Sequence, residues 1–177
     1  MSAIEILKKL DKYETLEPLQ RILLINDGTL TEVLEAAFLE RIELIKVAQD
    51  IIPSGAARVD NPEFENETLL KRKILLQGAN SKRNYAYAES LIAVDRLSPK
   101  FRDDLLQSNM PIGRLWLEHK LETFKEIQKI IYLNANDLGQ HFLCSDNSLL
   151  LVRTYCVYSK GKPLISITEY FPPTYPL

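Results

Sequence analysis

Leu149-Leu150-Leu151-Val152-Arg153-Thr154-Tyr155-Cys156-Val157-Tyr158, then Ser159-Lys160-Gly161-Lys162, then Pro163-Leu164-Ile165-Ser166-Ile167-Thr168-Glu169-Tyr170-Phe171: this stretch near the end of the chain decides the fold. Two runs rich in β-branched and aromatic residues flank four turn-forming residues, which is the pattern of a hairpin. Strands are expected over 148–158 and 163–171. A second pair precedes it at 67–77 and 83–94, joined through Gly78-Ala79-Asn80-Ser81. From Arg41 another run of period two begins, with Ile42, Leu44 and Lys46 alternating against Glu43, Ile45 and Val47.

The first forty residues read differently. Ile4, Leu7 and Leu10 lie at helical spacing, as do Leu16, Leu19, Ile22 and Leu23, with Pro18 at a natural helix start. Asn26-Asp27-Gly28 breaks the pattern as a turn. Thr29 is placed to cap the next helix, with Glu32 completing a capping box. Short helices are expected at Pro99–Gln107, after the turn Met110-Pro111-Ile112-Gly113-Arg114, and over 134–143. Residues 121–132 fit a helix through Leu121, Phe124, Ile127 and Ile130, and partly fit a strand. Residues 53–66, with Pro53, Gly55 and Pro62, read as a loop long enough to be a lid. Helices first and paired strands later imply an α+β fold with a mostly antiparallel β-sheet and helices covering one face. One domain over 1–177 is expected from the length.

Alternation also exposes charges on apolar faces, because successive side chains of a strand point to opposite sides. Arg72 shares a face with Leu70, Ile74 and Leu76. Glu169 shares one with Ile165, Ile167 and Phe171, and Arg153 lies with Leu149, Leu151, Tyr155 and Val157. Glu89 lies with Tyr85, Tyr87 and Leu91, but the opposite face of that strand is also apolar, so its orientation is open. An unpaired buried charge costs several kcal/mol, so each inward charge needs a partner. Either these residues pair with one another, or they line a cavity that holds a polar ligand. Arginine suits a carboxylate, since its planar fork makes two parallel hydrogen bonds. A glutamate there can serve as acid, base or hydroxyl acceptor.

Composition removes several classes of function. Twenty-two basic and 24 acidic residues give a net charge of −2, too balanced for a broad nucleic-acid surface. No apolar run reaches the roughly 18 residues of a membrane span, and the N-terminus lacks a signal-peptide core, so a cytoplasmic location is expected. Cys144 and Cys156 make no CxxC, and His119 and His141 lie far apart, so packed thiols and surface or capping imidazoles are expected, with no metal. Neither GxGxxG nor GxxxxGK[ST] occurs, so no nucleotide cradle is indicated. Trp116, Tyr85 and Tyr87 read as packing residues. Lys71 and Lys73 read as a solvated face.

Four segments resemble the chorismate pyruvate-lyase (chorismate lyase-like) family, in the archaeal and cyanobacterial branch. Leu70-Lys71-Arg72-Lys73-Ile74-Leu75-Leu76 is similar to its arginine-bearing strand, and Met110-Pro111-Ile112-Gly113-Arg114 to its Pro-Leu-Gly-Arg turn. Gly161-Lys162-Pro163-Leu164 with Thr168-Glu169-Tyr170-Phe171-Pro172 resembles its terminal glutamate strand. Asn26-Asp27-Gly28-Thr29-Leu30-Thr31 falls where the family has a helix-opening turn. The order of all four agrees, from about residue 18 to the end. The resemblance implies an internal ligand cavity and conversion of chorismate to 4-hydroxybenzoate plus pyruvate, without metal or organic cofactor. It implies that Arg72 binds the ring carboxylate, helped by amides near Thr29, Leu30 and Ile112, and that Glu169 meets the ring hydroxyl. Better-known bacterial members carry a second arginine in the strand after the hairpin, and the corresponding position here is Glu89. Chorismate has two carboxylates, so Arg153 is the expected substitute cation, with Arg114 behind it. The partner expected is thus a small aromatic or cyclohexadienyl carboxylate.

Two other classes stay open. The lyase fold resembles effector-binding domains of some bacterial transcription regulators, which would make the chain a non-enzymatic sensor of small aromatic acids. Those domains normally follow a DNA-binding helix-turn-helix, for which 177 residues leave little room. A structural or adaptor role would need exposed apolar patches.

Overall fold

The computed structural model describes residues 2–55, 64, 66–107 and 110–175. Its strands are β1 (Ile42–Ile52), β2 (Leu69–Gly78), β3 (Asn84–Ala93), β4 (Phe124–Asn134), β5 (Leu149–Ser159) and β6 (Lys162–Phe171). They form a six-stranded sheet in the order β1-β2-β3-β6-β5-β4, with every neighbouring pair antiparallel. The last strand is therefore inserted at the centre, between β3 and β5. This joins the early pair of strands to the late pair and makes one continuous face.

Helices α1 (Ala3–Leu7), α2 (Pro18–Ile25) and α3 (Leu30–Phe38) precede the sheet. Helices α4 (Pro99–Gln107) and α5 (Ile112–Glu118) follow β3, and α6 (Gly139–Phe142) follows β4. Pro18 occupies the first turn of α2, where its missing N–H costs nothing, and Glu17 with Gln20 forms a capping box there. Thr29 does stand at the N-cap of α3, but the expected box is not formed. Its hydroxyl donates to the Glu32 carboxylate at 2.5 Å, and no backbone amide is capped by its side chain. The first-turn amides of α3 are thus left without a side-chain cap.

Two apolar clusters pack on the helix-covered face. In one, Leu23, Leu24, Leu30 and Leu34 of α2 and α3 meet Leu76, Leu151 and Phe171. In the other, Phe101, Leu105 and Leu115 of α4 and α5 meet Leu70, Ile92, Val157 and Ile165. Both clusters draw on alternate residues of the same strands, and the middle of those strands lies between them. On the far side of the sheet, Phe64 packs on Leu69, Ala93 and Cys156, and α6 covers Leu150 and Val152. Phe64 is the buried end of the 53–66 loop; residues 56–63 and 65, on which the lid expectation falls, lie outside the described residues.

Residues 121–132 fitted two periods for a structural reason. β4 carries a bulge between Ile127 and Lys129. One extra residue lets Ile127 and Ile130, three apart, pack against the same core, which mimics helical spacing. The open orientation of β3 is settled as well. Ala86, Ala88, Ser90 and Ile92 lie on the helix-covered side with Leu76, Ile74, Arg72 and Leu70 opposite them. Glu89 is on the other side, beside Lys73 at 3.4 Å, and accepts from the Tyr87 hydroxyl. No helix among the described residues is long and apolar enough to cross a membrane.

Candidate functional site

The middle of the helix-covered face is hollow because β3 supplies small side chains there. Ala88 pairs with Ile74 on one side and Glu169 on the other, and Ser90 pairs with Arg72 and Ile167. A large residue at either position would fill the space; alanine and serine leave a cavity of about 70 Å³, several times what one water needs. Arg72, Ile74, Ile167, Glu169 and Tyr155 form its sheet side. Gly28–Thr31 at the start of α3 and Pro111–Gly113 at the start of α5 form the opposite side, with Trp116 and Lys125 completing it.

The two helix starts touch. A Cβ on Gly113 would lie 3.0 Å from the Thr29 Cγ2, so glycine is what allows the α5 turn to approach α3 this closely. First-turn amides have no acceptor within their own helix, and the helix dipole adds partial positive charge at that end. Two such starts converge on the cavity across from Arg72.

Arg72 is 2% exposed. Among the described residues, its Nε and Nη2 have no acceptor, although both are buried. Burial pulls its pKa below the ordinary arginine value, since a charge out of water is disfavoured. The indole Nε1 of Trp116 is a third buried donor without a partner. Three unsatisfied donors around a largely apolar space match a ligand with acceptor oxygens, because native proteins rarely leave such groups unpaired.

Glu169 and Arg153 are arranged differently. Arg153 is fully buried and directly opposite Glu169 in the β5–β6 ladder. Its Nε and Nη2 donate to Glu169 Oε2 at 3.0 and 2.5 Å, and its Nη1 donates to the carbonyls of Leu24 and Asn26. The Tyr155 hydroxyl donates to Glu169 Oε1 at 2.9 Å. Arg153 thus fixes the end of α2 to the sheet and aims the carboxylate into the cavity. An ionised carboxylate offers about four acceptor sites, and these three bonds leave capacity on Oε1.

Of the residues expected from sequence, Arg72, Glu169, Thr29, Leu30 and Ile112 come together around this one cavity. Arg153 sits behind Glu169 with all three of its nitrogens engaged, and Arg114 is exposed on α5. Trp116, read as packing, also lines the cavity, as do Tyr155 and Lys125, which sequence reasoning did not select. Tyr155 was legible, since it shares the inward face with Arg153. Lys125 was not, because it precedes the β4 bulge. Its Nζ donates to the carbonyls of Asn26 at 3.3 Å and Gly28 at 3.2 Å and lies 4.7 Å from the Tyr155 ring centre. Burial, then the charge of Arg153, pull its pKa down to about 8, against a smaller upward pull from Glu169 and Asp27.

The other polar residues have local roles. Tyr85 stacks on Phe38 and donates to Glu40, and His119 contacts Asp104. Cys144 and Cys156 are not joined in a disulfide. No group of three or more His, Cys, Asp or Glu side chains is placed to hold a metal among the described residues.

Comparison with known proteins bears on the fold and the family. In solved structures, the fold matches the effector domain of PhnF from Mycobacterium smegmatis at a TM-score of 0.61, over 82% of this chain and 88% of that one, with 12% identity. The chorismate pyruvate-lyase of Mycobacterium tuberculosis strain H37Rv is 32% identical over 158 residues, covering 85% of this chain and 78% of the relative. A Methanocaldococcus jannaschii protein, MJ0807, is 31% identical over 163 residues, covering 92% of this chain and 83% of the relative. Residues 24–176 match the family described as chorismate pyruvate-lyase Rv2949c-like, a span that holds every residue of the cavity, and the chain belongs to that family.

Proposed function

We propose that the protein converts chorismate to 4-hydroxybenzoate and pyruvate, with no metal or organic cofactor. The observation that carries this reading is Arg72: a buried cation with two unpartnered donors, facing two helix starts across a largely apolar space. A ring carboxylate held between them would satisfy Arg72 and receive amides near Thr29, Leu30 and Ile112. The ring would lie on Ile74, Ala88 and Ile167, with Glu169 accepting from the ring hydroxyl.

The chemistry asks little more than this. The ring C–O bond to the enolpyruvyl group breaks, the ring carbon bearing the hydroxyl loses its hydrogen as a proton, and the electron pair of that C–H bond enters the ring. The ring becomes aromatic, and the departing enolpyruvate takes up a proton at carbon to give pyruvate. Aromatisation supplies the driving force, so the protein need only orient the substrate and stabilise the charge that develops on the leaving oxygen. Arg153 acts in this scheme by holding Glu169, and Arg114 lies too exposed to share the work.

The test is direct. Purified protein with chorismate in plain buffer containing a chelator should release 4-hydroxybenzoate and pyruvate in equal amounts. Tight binding of 4-hydroxybenzoate without turnover would place the chain with the sensors of small aromatic acids. Neither binding nor turnover would refute both readings.

A further inference from the structure

Charge around the cavity does not balance for a monocarboxylate. Glu169 and Arg153 neutralise each other, with Nε and Nη2 of Arg153 both donating to Oε2. This leaves two cations, Arg72 and Lys125, and neither has an ion pair among the described residues. Asp27 lies near Lys125 but is exposed, so water screens its pull. Lys125 reaches two backbone carbonyls at rather long distances, and an ammonium has three N–H donors.

Its position is as informative as its charge. A second space of about 220 Å³ adjoins the inner cavity, and Gly28, Thr29, Gly113, Trp116 and Lys125 line both. Asp27, Glu32, Leu117, Leu121 and Thr123 form its outer part. Lys125 therefore stands where the inner chamber opens into the outer one. A group attached to a ring in the inner chamber and projecting outward must pass its ammonium.

We propose that Lys125 binds a second carboxylate carried on a ring substituent, so that the site selects a cyclic dicarboxylate over a monocarboxylate. This rests on the reading of the inner cavity as an aromatic-acid site. It gives the two chambers separate tasks: Arg72 and the helix starts hold the ring acid, and Lys125 holds the side-chain acid at the mouth. After the ether bond breaks, the smaller acid is already on the solvent side.

Two stable probes and two variants test this by calorimetric titration. One probe is 4-hydroxybenzoate; the other is the carboxymethyl ether of meta-hydroxybenzoate, which carries a second carboxylate beside the ring. Lys125→Met should weaken the diacid by about 30-fold, the scale of a lost charge-assisted hydrogen bond, and leave the monoacid within about threefold. Lys125→Arg should restore most of the diacid affinity. Equal losses for both probes would mean that Lys125 only braces the Asn26–Gly28 turn, and no loss for either would remove it from the site. Either result overturns the proposal while leaving the inner cavity as an acid site. Wild-type protein that binds neither probe would instead overturn the proposed function on which this inference stands.

Discussion

Replacing Arg72 should separate stability from binding, and in opposite directions. In the free protein the guanidinium is 2% exposed and two of its donors have no protein acceptor. Each buried donor left unmade costs about 1–3 kcal/mol. Methionine keeps most of the side-chain volume and removes both the charge and the donors. Arg72→Met should therefore leave the empty protein as stable as wild type or stabilise it by about 1–2 kcal/mol, a gain at the low end of the cost of unpaired groups. For a chain of this size that is roughly 2–4 °C in Tm per kcal/mol. The same change should weaken 4-hydroxybenzoate by at least about 2 kcal/mol, or roughly 30-fold, because the ligand carboxylate loses its charged partner. Differential scanning calorimetry with and without the ligand reads both effects. Arg153→Met is the control: it strands Glu169 as an uncompensated buried charge and should destabilise by about 3–5 kcal/mol. An Arg72→Met protein that melts well below wild type and still binds the ligand would refute the reasoning, because Arg72 would then be a structural cation like Arg153.

Glu169→Gln should lower chorismate turnover by at least about 10²-fold, as for loss of a positioned acid–base group. It also deprives Arg153 of its counter-charge, so the rate must be taken well below the variant's own melting temperature; normal turnover there would leave Glu169 as an ion-pair member only. Gly113→Ala should impair ligand binding more than folding, because the new Cβ at 3.0 Å from Thr29 pushes apart the two helix starts that face Arg72. Unchanged affinity for 4-hydroxybenzoate would show that their close approach is not needed. Lys125 predicts a pH signature: its pKa is lowered in the folded state, from an ordinary value of 10.5 to about 8. Between those values the unfolded chain holds more protons, so stability should rise with pH from about 8 towards 10. Above 10, tyrosines such as Tyr155 and Tyr175, whose pKa values burial pushes up, act in the opposite sense. Urea titrations across this range should show the rise in wild type and its loss in Lys125→Met.

Period two in the chain fixed much of this protein without any structure. It placed Arg72 and Glu169 on the buried face from their own neighbours, because a strand has only two faces and one of them is visibly apolar. Pro18, the Asn26-Asp27-Gly28 turn and the glycine-bearing hairpin turn marked where elements end, since those residues impose local backbone geometry. What alternation could not say was which strands lie side by side. Only the insertion of β6 between β3 and β5 puts Glu169 opposite Arg153 and Ala88, and so decides that one buried arginine pairs with a carboxylate of the protein while the other keeps two donors without a protein acceptor among the described residues. Lys125 was hidden for a related reason: a bulge shifts the face of every residue on one side of it, and a bulge is a property of two paired strands. Local sequence thus determined which charged residues of β2, β5 and β6 must be inside, through burial; pairing between strands distant in the chain decided which of those charges meet one another and which are left without a protein partner.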